Sequence, residues 1–296
     1  METLLAIVHH GGFAAAARAV NLTASAVSQQ VVALEQELGA TLFDRARRPP
    51  ALTSKGSEMV RTARGILQLA NAAKSQTGGA ELRGTLAIGS LRTCAQSLMP
   101  AAIATLHQQF PGLSFKLRIA MSEELMREVA AGQLDAALVA DHVAVPLSLR
   151  WTEVLSEPLA LLIPPKIKAS TLEEVLHSVP YVRYQTRVPL ARQIDTEIAG
   201  FGVEPAQIIS VNTMTAVIGC VQAGLGFAVV PSVALQEIAP GSLRSLPFGS
   251  PPIHRRLGLV QSPHSNRSEV LGRLCQELAG AARAFATTDA AERRNF

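Results

Sequence analysis

The chain has 296 residues, too many for one ordinary domain, and 48% of them are hydrophobic, enough to fill two or three cores. Aromatic residues supply only 4%, so those cores must be built from Ala, Val, Leu and Ile. The formal net charge of +4 permits nucleic-acid binding without demonstrating it. Cys94, Cys220 and Cys275 are odd in number and far apart, with no CxxC or Cys/His cluster, which excludes a disulfide framework and a zinc site. No metal and no cofactor is expected, and a reducing cytoplasm suits the free thiols. The N-terminus lacks the basic, apolar and small-residue order of a signal peptide, and no apolar run is long enough for a membrane span. The expected location is cytoplasmic, away from membranes.

The first element is a helix carrying Leu4, Leu5, Ile7 and Val8 on one face and ended by Gly11-Gly12. A second short helix starts at Phe13, where Ala14 to Ala17 give high helix propensity and room for a close neighbour. Asn21-Leu22-Thr23 breaks the pattern, and Thr23 is placed to cap a third helix with Val27, Val31 and Leu34 at helical spacing, ended by Gly39. Two short helices, a tight turn and a third helix form the helix-turn-helix layout. The early face of the third helix presents Ser25, Ser28, Gln29 and Gln30, side chains suited to base edges and phosphates. A three-helix bundle with a polar surface has the same spacing.

Thr41–Phe43 and Ala51–Thr53 then read as two short strands around a basic tip, Asp44 to Pro50. Residues 41–64 hold six basic and two acidic side chains, a net of +4; residues 1–40 hold Arg18 against Glu2, Glu35 and Glu37, a net of −2. Positive charge therefore concentrates on the wing, where a duplex backbone would run. Thr23, Ser25, Ser28, Gln29, Gln30, Arg45, Arg47, Arg48 and Thr53 are the candidate DNA contacts.

These residues carry a resemblance. Gly11–Ala17, Ser25-Ala26-Val27-Ser28-Gln29-Gln30, Leu34-Glu35, Leu38-Gly39, Leu42-Phe43-Asp44-Arg45 and Leu52-Thr53-Ser54-Lys55-Gly56 together resemble the DNA-binding domain of the LysR-type transcriptional regulators, in order and without gaps. Gly12 stands where the family usually has Ser, and Ala24 where it often has Gln, which removes one hydroxyl and one base-reading amide. The resemblance implies double-stranded DNA, a small-molecule effector and RNA polymerase as partners, and self-association as dimer or tetramer.

From Ser54 to about Gln76 no proline interrupts a helical stripe of Met59, Ala63, Ile66, Leu67 and Ala70. Such a stripe packs onto its own chain or, as the resemblance implies, onto the same helix of a second subunit. Thr77–Ala80 reads as a hinge. Strands and helices then alternate: Gly84–Gly89, a helix around Gln96–Gln109, Leu113–Leu117, Ser122–Ala131 and Ala136–Val139, an order that predicts a parallel sheet with helices on its faces. A second series follows, from Tyr181–Tyr184 through Leu190–Ala199, Ile208–Val211 and Met214–Gln222 to the turn and strand ending at Pro231. The expected fold class is α/β: an N-terminal winged helix-turn-helix over 1–58, a linker helix and hinge over 59–82, and a two-lobed α/β effector domain over 83–286, with a tail at 287–296. Lobe 1 spans about 83–158 and 263–286, and lobe 2 about 159–262, with crossings near Leu159–Pro164 and Leu257–Val260. Gln133–Leu138 and Ala223–Gly226 with Pro231 also resemble the LysR effector domain, which implies the periplasmic-binding-protein fold.

In such folds the strand exits and helix N-termini face the ligand cleft. The strand exits nominate Ser90, Arg92, Thr93, Ser122, Asp141, Gln185 and Thr213 as effector contacts; helix capping is the other role open to each Ser and Thr. Arg183, Arg187 and Arg192 hint at a carboxylate-bearing effector. Cys94 is either a sensor, a pocket residue or an inert buried thiol. No GxSxG, P-loop or GxGxxG after a strand is present, so an enzyme is not expected. A two-lobed enzyme or a solute-binding protein remains the alternative, and the basic winged helix speaks against the latter.

Overall fold

The structure, a computed structural model, describes residues 1–47, 49–60, 62–63, 65–66, 83–141, 144–169, 171–185, 189–239, 241–265 and 267–293, with the side chains of Pro189, Glu237 and 284–293 left out. It divides into two compact units, Met1–Ala80 and Glu81–Phe296.

In the first unit, α1 (Glu2–His10) ends at Gly11 with φ 74°, the left-handed conformation that a helix C-cap favours in glycine. Helix α2 (Phe13–Ala19) starts after Gly12 without a side-chain cap, and Thr23 caps α3 (Ala24–Leu38) by accepting from Ala26 N. The wing is β1 (Phe43–Asp44) paired antiparallel with β2 (Ala51–Leu52). Helix α4 covers 54–60, and 62, 63, 65 and 66 are helical too. Leu4, Ile7, Ala16, Val27, Val31, Leu42, Phe43 and Val60 form one core. Gly56 is obligatory for that packing, because a Cβ there would lie 2.1 Å from the Leu42 carbonyl oxygen. The stripe expected on the connecting helix is divided: Met59 packs on this core and Ala63 is buried, whereas Ile66 is exposed. Leu67, Ala70 and the Thr77–Ala80 hinge lie outside the described residues.

The second unit is built on two sheets that share one strand. Lobe 1 holds β3 (Gly84–Ser90), β4 (Leu113–Ile119) and β5 (Ala136–Ala140), with β3 parallel to both neighbours, as the alternating pattern predicts. Helix α5 (Arg92–Gln109) joins β3 to β4, and α6 (Ser122–Ala130) joins β4 to β5. Strand β6 (Arg150–Ile163) is 14 residues long and serves both lobes. Residues 150–158 pair with β11 (His254–Gln261), whereas 159–163 pair with β9 (Ala228–Pro231) and β10 (Arg244–Pro247). Lobe 2 adds α7 (Leu172–Ser178), β7 (Tyr181–Tyr184), α8 (Pro189–Gly200), β8 (Gln207–Val211) and α9 (Met214–Gln222), with β7 parallel to β8. A 3₁₀ turn, Ser232–Glu237, follows β9, and α10 (Ser268–Arg293) closes the chain over lobe 1.

Two expectations need correction. Leu257–Val260 is no crossing: it is the interior of β11 and pairs with β5 in lobe 1. The chain crosses at Pro158/Leu159 inside β6 and returns through 248–253, so lobe 1 regains the chain at His254. Helix α5 begins at Arg92 rather than near Gln96, which puts Arg92 and Thr93 in its first turn. The expected start was late because Arg92-Thr93-Cys94 carries no helical periodicity of its own; packing of Cys94 and Ala95 makes the turn helical.

Trp151 and Val260 are cross-strand neighbours on one face of lobe 1, and Gly258 leaves room there for the indole. A Cβ on Gly258 would sit 2.3 Å from the Trp151 ring. Gly258→Ala is therefore expected to cost about 1–3 kcal/mol by overpacking. Urea unfolding followed through Trp151, the only tryptophan, should show a lower midpoint; an unchanged midpoint would mean that the ring moves aside freely.

Candidate functional site

The winged unit offers one polar face. Ser25 and Gln29 are exposed on the first two turns of α3, and neither side chain has a hydrogen-bond partner among the described residues. Ser28 is half-buried and borders a groove shared by the start of α2, Arg18, Arg45, Pro49 and Pro50. The other candidates already have structural partners. Thr23 is the α3 cap, Gln30 Oε1 accepts from the Thr3 hydroxyl, and Thr53 Oγ1 donates to the carbonyls of Thr41 and Leu42 while accepting from Gly56 N. Arg45 and Arg47 stand on the wing beside Glu35 and Asp44, at 3.2 Å and 3.4 Å. Arg48 lies outside the described residues.

Glu35 is a residue that composition and spacing did not single out for a role. Its Oε1 accepts from Leu42 N at 2.6 Å and Phe43 N at 3.1 Å, and its Oε2 faces Arg45. One carboxylate in the last turn of α3 thus satisfies two backbone donors where the wing begins and sets the wing's angle to the helix.

In the effector unit, a cavity of about 210 Å³ lies between the lobes. The first turn of α5 forms one side, with Leu91, Arg92 and Thr93, and the exit of β4 adds Ile119 to Met121. Lobe 2 supplies Tyr181, Tyr184, Met214 and Pro231. Neither α5 nor α6 has a side-chain cap at its N-terminus, so backbone N–H groups are available at both helix ends bordering the space. Arg92 is exposed and has no ion-pair partner among the described residues, whereas Arg118 is paired with Glu124 and Glu128.

The wall of this cavity also contains Arg255, which is 8% exposed and paired with Glu157, itself 1% exposed. Arg255 Nε donates to Glu157 Oε1 at 2.8 Å, and the guanidinium also reaches Thr93 Oγ1 at 3.5 Å. The second Glu157 oxygen accepts from Val233 N at 2.9 Å and the Ser232 hydroxyl at 3.3 Å. Burial acts to lower the Arg255 pKa, but the Glu157 carboxylate together with the nearby Cys94 and Tyr184 side chains outweighs it and holds the guanidinium above its ordinary range. Burial pushes the Cys94 thiol up to about 11, so it is protonated at neutral pH and chemically quiet.

Of the candidate effector contacts, Arg92 and Thr93 line the cavity. The other five are occupied elsewhere. Ser90 is buried and donates to the Leu91 carbonyl; Ser122 Oγ accepts from Ala140 N; Asp141 is held 2.6 Å from Arg256 Nε. Gln185 Oε1 accepts from Ser210 Oγ, and Thr213 caps α9 by accepting from Ala216 N. Arg183 is engaged by Asp195, Arg192 is exposed outside the cavity, and Arg187 lies outside the described residues. Arg255 and Glu157, which reasoning from the sequence missed, are 98 positions apart and become neighbours only through the β6–β11 register.

A winged helix-turn-helix joined to a two-lobed α/β unit with an inter-lobe cavity defines a ligand-responsive DNA-binding regulator. The model of the bacterial regulatory helix-turn-helix proteins of the lysR family matches residues 1–57, and that of the LysR substrate binding domain matches 79–283. The chain belongs to the LysR family: it is a DNA-binding transcriptional regulator with an effector-binding domain, and not an enzyme. Regulators of this family bind DNA and small-molecule effectors and form oligomers. A probable RuBisCO transcriptional regulator of Porphyra purpurea is 27% identical over 290 residues, covering 94% of this chain and 92% of the relative. Among solved structures, a full-length OxyR variant of Pseudomonas aeruginosa matches with a TM-score of 0.75 at 21% identity, covering 94% of this chain and 92% of its own. Full-length LysG of Corynebacterium glutamicum, with bound effector Arg, matches with a TM-score of 0.67 at 22% identity, covering 95% and 96%. Among the described residues no helix is long and apolar enough to cross a membrane.

Removing the Glu157 carboxylate would leave Arg255 buried and unpaired. Glu157→Ala should cost about 3–5 kcal/mol of stability, measured by chemical denaturation of the full chain; a cost below that of an exposed pair would show that water reaches Arg255.

Proposed function

We propose that this regulator answers to a small carboxylate held in the inter-lobe cavity, and the observation that carries the reading is Arg92. It is a cation without an ion-pair partner among the described residues, at the uncapped N-terminus of an 18-residue helix, on the wall of the cavity. Helix dipole, free N–H groups and guanidinium all favour an anion at that point. Thr93 adds a hydroxyl, and Arg255 supplies a second positive group behind it. That LysG of similar fold is described with bound Arg, a carboxylate-bearing molecule, supports the same chemistry. The arginines from which the sequence suggested a carboxylate are replaced in this role by Arg92 and Arg255.

The wing and the early face of α3 engage duplex DNA. Ser25 and Gln29, the exposed residues without partners among the described residues, read base edges; Ser28, Arg45, Arg47 and Arg48 meet the phosphates. Thr23, Gln30 and Thr53 flank this face with part of their hydrogen-bonding capacity used within the unit, and the exposed Gln30 keeps its amide N–H groups for a base edge or phosphate. The working division is 1–58 for the DNA-binding domain, 59–82 for the linker helix and hinge, 83–286 for the effector domain and 287–296 for the tail. Strand β11 is moved into lobe 1. The protein acts in the cytoplasm as a dimer or tetramer, with RNA polymerase as the partner that its operator occupancy affects. Exposed Ile66 on the connecting helix supports the pairing. An effector changes transcription by binding one arrangement of the oligomer better than another.

Two experiments test this reading. Arg47→Ala should weaken binding to all duplex sequences alike and flatten the salt dependence, whereas Gln29→Ala should relax preference at one base pair by about 1–3 kcal/mol. If binding assays across operator variants and salt show the reverse, the two roles are exchanged. For the cavity, calorimetric titration of small carboxylates and their matching amides should find acids preferred. Arg92→Gln should cost the acid about 1.5–3 kcal/mol, the worth of a charge-assisted hydrogen bond, and leave effector-free DNA binding intact. Parent-level affinity of that variant for the acid would remove the carboxylate from the proposal.

A further inference from the structure

Lobe 1 contains a second concavity, away from the inter-lobe cavity, of about 370 Å³. Its size falls in the range of small-ligand pockets, roughly 300–1,000 Å³. One wall is a corner of the lobe 1 sheet. Arg150 is the cross-strand neighbour of Gln261, and Thr152 that of Leu259, so these four side chains project from the same sheet face. The other wall is α10, which brings Leu271, Gly272, Cys275 and Ala279 to the space.

The chemistry of this corner is unbalanced. Gln261 is 9% exposed, and its amide takes part in no hydrogen bond among the described residues. A buried primary amide without partners carries a desolvation cost that native structures rarely leave uncompensated. Arg150 beside it is exposed and has no ion-pair partner among the described residues. Thr152 offers a hydroxyl on the same face. Leu259 and Leu271 are buried, and they border the concavity as its apolar floor. On α10, the Cβ position of Gly272 has nothing within 4 Å, so the missing side chain leaves the space open.

We propose that this corner is a second small-molecule site, for a monocarboxylate with a short apolar tail. The carboxylate accepts from the Gln261 amide, the Thr152 hydroxyl and the Arg150 guanidinium, and the tail lies over Leu259 and Leu271 towards Ala279. The carboxylate is favoured over a neutral head because, among the described residues that line the corner, the charged group is Arg150 and it is cationic. The site shares no lining residue with the inter-lobe cavity.

Hexanoate, with hexanamide as its neutral counterpart, is a suitable probe on the full chain. Cys275 is half-buried in the α10 wall and provides a local reporter, while half-buried Cys220 in lobe 2 serves as the internal control. Saturating hexanoate should slow alkylation of Cys275 several-fold, read by mass spectrometry, and leave Cys220 unchanged. Arg150→Gln should bring hexanoate down to the level of hexanamide. Gln261→Met, close in volume, should abolish protection by both. Gly272→Leu fills the open space with a better helix former; added to Arg92→Gln, which removes the inter-lobe contribution, it should keep the fold and abolish the rise in melting temperature that hexanoate gives Arg92→Gln alone. Arg92→Gln should leave Cys275 protection intact, which separates this site from the inter-lobe one. Cys275 alkylation insensitive to both probes, or protection that survives Gln261→Met and a melting shift that survives Gly272→Leu in the Arg92→Gln background, would overturn the proposal.

Discussion

The effector unit is organised around one buried ion pair at the place where a strand changes sheets. Glu157 is the last residue but one of β6 before its partner changes from β11 to β9, and it faces Arg255 across the ladder. A buried carboxylate and a buried guanidinium are tolerated only if each is paired and hydrogen-bonded. Glu157 meets that condition with bonds to Arg255 on β11 and to the Ser232 hydroxyl and Val233 amide where the chain leaves β9. The condition is thus met only when β6, β11 and the 3₁₀ turn are all in register. Whatever relative motion the lobes have must leave this junction closed, or expose charge to an apolar interior.

The same junction explains why the cavity is chemically directional. Arg255 reaches from the pair to Thr93, at the start of α5, and so carries the junction's electrostatics into the ligand space. An anion bound as proposed near Arg92 and Thr93 would lie close to a guanidinium whose other side is already committed to Glu157. In that proposal ligand and junction would share a charged group, Arg255, which stands between the cavity and the strand that joins the lobes. The quiet Cys94 thiol next to Thr93 adds packing rather than reactivity, since burial keeps it protonated.

The DNA-binding unit uses a smaller version of the same device. Glu35, near the end of α3, accepts the two amides at the start of the wing and faces Arg45. Gly56 lets α4 pass within a Cβ radius of the Leu42 carbonyl that Thr53 also engages. Helix and wing are thereby held as one rigid reader, with Ser25 and Gln29 left uncommitted on its exposed face.

Local chemistry is what the sequence by itself determined. The left-handed glycines at 11 and 39, the Thr23 cap, the wing strands, the parallel order of β3 to β5 and the winged helix ahead of a two-lobed α/β unit all follow from contacts within a few residues or from simple periodicity. Site chemistry was only partly legible. Arg92 and Thr93 could be placed because a strand exit points to a helix start, but Ser122, Gln185 and Thr213 at similar exits bond within the fold. Their hydroxyls and amide have several possible partners, and only the packed chain chooses among them. The lobe crossing was misread because an apolar run such as Leu257–Val260 has the same pattern in either sheet; pairing with β5 decides its place. Glu157 and Arg255 were invisible as a pair for the same reason. Nothing local joins residues 98 positions apart, and the ladder that sets them side by side exists only in the tertiary structure.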